Sequence, residues 1–197
     1  MTLLFFLADY EGMEDRARAA LAVAECHSLA RIEAGACSGL GKCAMVKRRF
    51  REAIIWYERA RVLFAAEGLP IDAMRVQSDE GCCYLGLGEL DKAMEIFSEA
   101  LRSSEITGAL AALHIDHANV GCVHLQRGEY EHALCHFQKA LEIARKLEDQ
   151  ISMGKWLRNL SLTHKCLGDS LQALTCELEA ERINRQVAEA RAASIDG

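Results

Sequence analysis

Alanine recurs at Ala53, Ala93, Ala133 and Ala173, a constant step of forty residues. A second alanine follows each by seven residues, at Ala60, Ala100, Ala140 and Ala180. Twelve residues before each of the first set stands Gly41, Gly81, Gly121 or Ser161, and Gly88, Gly128 and Gly168 precede three of them by five. A period of this length constrains the fold more than any single motif does. A unit of forty residues cannot bury its own apolar face, so it must stack on its neighbours as a helical hairpin.

Each unit carries two helical stretches around a short turn. In the second, residues 72–87 read as a first helix, Gly88 and Glu89 as the turn, and Leu90 as the start of a second helix. That second helix presents Ala93, Met94, Ile96, Phe97, Ala100 and Leu101, an apolar stripe at helical spacing. The third unit repeats it with Ala133, Leu134, Phe137, Ala140 and Leu141. Short turns make the paired helices antiparallel neighbours. The small residues then have a packing reason: any side chain beyond Cβ at Gly81, Gly121 or the alanines would hold the two helices apart. Tyr57, Phe97 and Phe137 are expected to fill the gap towards the next hairpin.

Composition agrees. Half the residues are apolar and only one proline, Pro70, is present, which suits long helices and disfavours a many-stranded fold. The net charge of −6 argues against nucleic acid as a partner. Nine cysteines is an odd number without paired-loop spacing, which fits free thiols in a reducing compartment. The apolar start MTLLFFLA has no basic flank and is followed at once by Asp9, unlike a secretory signal. No segment approaches the length of a membrane span. The expectation is a soluble cytoplasmic chain that engages neither membrane nor nucleic acid.

The pattern resembles the tetratricopeptide repeat. Its motif residues are matched by Leu40 and Gly41; by Gly81, Tyr84, Gly88, Ala93, Phe97 and Ala100; and by Gly121, Gly128, Ala133, Phe137 and Ala140. The forty-residue period exceeds the family's usual thirty-four. The spacing within the motif is unchanged, so the extra residues lie between the last alanine of one unit and the glycine of the next, lengthening both helices by about one turn. Forty-residue versions are similar to Leu-Gly-Asn-repeat spindle adaptors and kinesin light chains; Asn119-Val120-Gly121 and Asn159-Leu160-Ser161 stand where the former have Asn-Leu-Gly. The resemblance implies an all-α, right-handed superhelical solenoid of antiparallel hairpins. HEAT-type repeats have a similar period but do not explain the glycine-to-alanine spacing.

The expected organisation is an incomplete N-terminal repeat over 1–32, repeats over 33–71, 72–110 and 111–150, and a last repeat with a capping helix over 151–197. Residues 7–24 read as the end of one helix, a turn at Asp9–Gly12 and a second helix, so the chain is expected to begin inside a repeat. At the other end Glu177 and Glu181 replace the aromatic and the leucine of earlier units, as the polar face of a capping helix requires.

In the family the first helix of each repeat lines the concave face. By that resemblance the inward positions carry five basic residues, Lys42, Arg75, Lys155, Arg158 and Lys165, against one acid, Asp79. The implied function is a non-catalytic adaptor whose groove holds a partner protein or peptide, acidic and with an apolar anchor. The expected contacts are Lys42, Arg75, Asn119, Lys155, Arg158, Asn159 and Lys165, the asparagines gripping the ligand backbone. The two-carboxylate clamp of some co-chaperones is matched only at Asn119 and Lys155 and fails at Ser78, Cys82 and Asn159. The alternative function is self-assembly, a homo-oligomer docked through apolar Leu3–Leu7 at the open N-terminal edge.

Catalysis and cofactors find no support in the motifs. No Cys-x-x-Cys, phosphate loop, Gly-x-Ser-x-Gly or His-Glu-x-x-His occurs. His132 and His136 share a helix face, but no third ligand is apparent, and the reading assigns no metal. His117, His124 and His164 fall at packing positions. Cys82 should face the groove, where a basic neighbour such as Arg75 would activate it, but the favoured reading takes Cys82 and Cys83 as small packing residues. Glu80 occupies the position of a leucine that should pack, so either it finds a partner nearby or the second hairpin is rotated.

Overall fold

A computed structural model describes the backbone of residues 2–193 and the side chains of residues 12–190 and 192. Among the described residues every regular element is an α-helix. In chain order these are α1 (Thr2–His27), α2 (Ala30–Val46), α3 (Phe50–Ala66), α4 (Pro70–Leu87), α5 (Leu90–Thr107), α6 (Leu110–Arg127), α7 (Tyr130–Lys146), α8 (Gln150–Cys166) and α9 (Ser170–Ala193). Two compact units divide the chain, Met1–Ile96 and Phe97–Gly197, with the boundary inside α5.

The turns explain the forty-residue period. One residue of each adopts positive φ: Ser28, Arg48, Gly68, Gly88, Gly108, Gly128, Glu148 and Gly168, one every twenty residues. At Gly88 the glycine N–H donates to the Leu85 carbonyl at 3.1 Å, and the next N–H, of Glu89, donates to the Tyr84 carbonyl at 3.0 Å. The same pair of bonds recurs at Arg48, Gly68, Gly128, Glu148 and Gly168. This double closure satisfies the last carbonyls of one helix, and the residue after it caps the next. Asp149 and Asp169 add side-chain caps, accepting from the N–H groups of Ser152 and Gln172 at 3.0 and 3.1 Å. The turns between repeats are thus as short as those within them.

In the first unit α1, α2, α3 and α4 pack in succession. Ala53, Ala60, Cys37, Tyr57, Val76 and Cys83 form its buried centre. The aromatic partner of each glycine differs from the sequence expectation. The Tyr57 ring lies over Gly41 of its own hairpin, where a Cβ would stand 2.6 Å from Cε1. In the second unit Phe137 lies over Gly121 in the same way, with 2.9 Å to Cε1. The glycine therefore makes room for a ring inside the hairpin, rather than the ring reaching only towards the next one. Around Phe137 the second unit buries Ala118, Ala133, Ala140, Leu157, Leu160, Ala180 and Ile183.

The two ends depart from the sequence reading. No turn interrupts residues 9–12: α1 is continuous and Gly12 keeps helical backbone, because the left-handed residue that ends the helix is Ser28. Glu14 of α1 pairs with Lys47 at 2.6 Å and with Arg18 at 2.6 Å, which holds its carboxyl down at about 2. Arg59 of α3 bridges Glu25 of α1 and Glu33 of α2 at 2.7 and 2.6 Å. These pairs and the burial of Ala24 dock α1 as a full-length helix. The side chains of Leu3–Leu7, on which the self-assembly expectation rests, lie outside the described residues. On α9 Glu177 pairs with Lys165, but Leu171, Leu174 and Leu178 are exposed on the same helix, so its outer face is mixed rather than polar.

Glu80 finds a cation nearby, at ion-pair rather than hydrogen-bond distance. It is buried, and its Oε2 stands 3.5 Å from Nε of Arg61 on α3. Burial pushes its carboxyl up, and the Arg61 charge opposes that shift.

Candidate functional site

Each unit carries a face formed by the first helix of its hairpins. On the first, Lys42 of α2 is half-buried and Arg75 of α4 is exposed. Neither charge stands clear of acids. Arg75 donates to Asp72 at 2.8 Å, one turn before it on the same helix. Asp79 is influenced by Lys42 and Arg75, which oppose an upward shift of its carboxyl caused first by burial. The surplus of positive charge read from the sequence is therefore balanced locally here.

The second unit is different. On α8, Ile151, Lys155, Arg158, Leu162 and Lys165 are all exposed, at the spacing of one helix face. Lys155 and Arg158 have no ion-pair partner among the described residues. Lys165 does: its Nζ lies 3.1 Å from Glu177 Oε2. Two contacts tie this face to α6. Asn159 Nδ2 donates to Cys122 Sγ at 3.8 Å, and the Trp156 indole N–H donates to His114 Nδ1 at 3.3 Å. The second contact requires His114 to be neutral at Nδ1, and burial lowers its affinity for a proton accordingly. Burial likewise pushes the Cys122 thiol up to about 11. On α6, Asn119 is half-buried and Ile115 is exposed.

The second unit thus gathers Asn119, Lys155, Arg158 and Asn159 on two helices in contact, among exposed Ile115, Ile151 and Leu162. Sequence reasoning missed both neutralising acids. Asp72 was legible as an i, i+3 neighbour of Arg75. Glu177 was not, because it belongs to the following helix and only packing brings it to Lys165.

The comparisons with known proteins bear on the same residues. The sequence model described as tetratricopeptide repeat matches residues 77–106, and a second of that description matches 109–186, together more than half of the chain. The chain belongs to the tetratricopeptide repeat family. Its helical hairpins are those of an all-α repeat solenoid. Solved structures share that fold at low identity. BtubC (BKLC) from P. vanneervenii is 18% identical, with a TM-score of 0.67 over 95% of this chain and 93% of that one. Nearly identical TPR-like repeats ascribed to a kinesin light chain of Podosopora anserina are 12% identical, with a TM-score of 0.63 over 93% and 98% of the two chains. Among curated proteins, a Tonsoku-like protein of Danio rerio is 26% identical over 89 residues, 45% of this chain. That stretch is 6% of the Danio protein. No described helix is long and apolar enough to cross a membrane.

The remaining candidates of the sequence reading fall as follows. His117 is buried, as a packing position implies, but its Nδ1 meets Nδ1 of His136 at 3.2 Å. His132 and His136 do not meet alone on their face, for the ring of His124 from α6 stacks beside both. Cys82 is half-buried on α4.

Proposed function

We propose that this tetratricopeptide repeat chain is a non-catalytic adaptor that holds an acidic partner segment on the α6–α8 face. The observation that carries the reading is the state of two cations. Lys155 and Arg158 project from α8 without an ion-pair partner, while other basic candidates, Arg75 and Lys165, are already paired with acids. An unpaired Arg and Lys one helical turn apart offer a carboxylate-rich segment charge-assisted hydrogen bonds. Ile115, Ile151 and Leu162, each at least two-fifths exposed, flank them and supply an apolar seat. The side-chain amides of Asn119 and Asn159 would pair with the backbone of an extended ligand, Asn159 giving up its contact with Cys122 Sγ. Lys42 and Arg75 on the first unit play a lesser part, because Asp72 and Asp79 compete with an acidic ligand for them.

The test compares the wild-type chain with a Lys155→Glu, Arg158→Glu double variant as baits in cell extract, read by mass spectrometry. Circular dichroism first checks that both have the same helix content. Acidic partners retained by the wild type should be lost by the variant. The same retained set for both baits would refute the α6–α8 face as the binding surface.

A further inference from the structure

We infer that the α6–α7 turn forms a binding site for a borderline divalent transition-metal cation such as zinc, with His124, Glu129 and His132 as ligands. The three residues come from three parts of one hairpin. His124 lies in the last turn of α6, Glu129 directly follows the left-handed Gly128, and His132 lies in the first turn of α7. The Schellman-type closure, in which the Glu129 N–H donates to the His124 carbonyl at 2.9 Å, brings them together. One ligand atom from each lies within 4.8 Å of the other two. His124 Nδ1 and Glu129 Oε2 are 2.5 Å apart, and the His124 and His132 rings stack at 5.3 Å between centroids.

The donor set decides the class of metal. Two imidazoles and one carboxylate suit zinc and its neighbours in the transition series, whereas calcium and magnesium take oxygen donors. Two ligands on one tetrahedral zinc stand about 3.3 Å apart, from bond lengths of about 2.0–2.2 Å. Binding therefore asks His124 and Glu129 to separate by less than about 1 Å and His132 to swing inward by at most about 1.5 Å. His132 is exposed and Glu129 sits in the turn, so neither movement disturbs the core. Water from the open side completes the coordination. The N-terminal end of α7 opposes a cation through its dipole, and the Glu129 carboxylate offsets that field.

Behind the ligands the cluster continues into the hairpin. His136 stacks on His124 at 5.4 Å, and His117 meets His136. His136 packs against the plane of His124, and His117 in turn supports His136. A metal here would clamp the end of α6 to the start of α7 across the turn. It would raise the stability of the folded chain in proportion to the logarithm of its concentration above the dissociation constant.

The experiment uses the whole, metal-stripped chain. Zinc is titrated by calorimetry, and cobalt is titrated as a spectroscopic probe of the same site. The wild type should take up one equivalent, and its thermal midpoint should rise with zinc. His132→Gln and Glu129→Gln should each weaken binding at least tenfold with unchanged circular dichroism, while His27→Gln, an exposed histidine far along the chain, should change nothing. Either ligand variant suffices if the other fails to fold. The inference falls if no one-to-one binding occurs, or if both ligand variants bind as the wild type does. It falls equally if the cobalt spectrum carries a thiolate charge-transfer band, since exposed thiols among Cys26, Cys135 and Cys166 would then be the captors.

Discussion

Glu148→Gly should stabilise this protein, and Gly168→Ala should destabilise it, although neither residue touches the core. Both occupy the left-handed position of a turn, at φ 55° and 79°. An L-residue pays about 1–2 kcal/mol there through the clash of Cβ with the following carbonyl, and glycine does not. Glycine loses about 0.5–1 kcal/mol more conformational freedom on folding. The net gain for Glu148→Gly is therefore about 0.5–1 kcal/mol. Glu148 is exposed and has no ion-pair partner among the described residues, so nothing else is removed. Arg48→Gly should gain less: the Arg48 guanidinium lies 5.8 Å from the Phe50 ring centroid, a contact worth about 0.5 kcal/mol at an exposed site. At Gly168 a Cβ would meet nothing within 4 Å, so the loss in Gly168→Ala, about 1 kcal/mol, is conformational alone. Urea unfolding followed by circular dichroism measures all three, with unchanged slopes as the sign that the compactness of the unfolded state is unaltered. A lower midpoint for Glu148→Gly, or a higher one for Gly168→Ala, would refute the view that left-handed turns set the twenty-residue spacing.

Stability should also fall on mild acidification. His114 has its proton affinity lowered by burial in the folded chain, so its contribution is complete above the unfolded value of about 6.5 and is lost as pH falls below it. The urea midpoint should drop between about pH 7 and pH 5, and His114→Gln, which still accepts from Trp156, should flatten that drop; an unchanged slope would sink the assignment. The thiols should separate by burial. Cys26, Cys135 and Cys166 are exposed and should be alkylated first in mapping by mass spectrometry, whereas Cys37, Cys43 and Cys83 are buried. Burial pushes the Cys83 thiol up to about 12, and early labelling there would contradict the packing of α4.

The repeat was legible in the sequence because its determinants are local. Small residues seven apart on one helix, and glycine where the backbone must turn left-handed, declare themselves without knowledge of a partner. So did the helix pairs on either side of Gly88, Gly128 and Gly168. Ser28, Arg48 and Glu148 hid the equivalent turns, since no side-chain preference marks them and only the chain on both sides forces their backbone. Asp9–Gly12 shows the converse: a glycine beside acids looked like a turn, yet it continues a helix that Glu14, Ala24 and Glu25 dock onto the following hairpin.

Which charges remain available is a tertiary matter. Five basic residues looked alike in the sequence. Packing places Glu177 of α9 beside Lys165 and leaves Lys155 and Arg158 open, and it gives buried Glu80 a cation from the preceding hairpin helix. The histidines carry the same lesson. His132 and His136 were visible as a pair, but His124 joins them only because the antiparallel crossing of α6 and α7 turns its ring towards α7. Periodicity along one chain encodes which face of a helix is buried; it does not encode which side chains of the neighbouring helix will meet it. The chain's own pattern therefore determined the hairpins, and the packing between helices decided which side chains the candidate site leaves open.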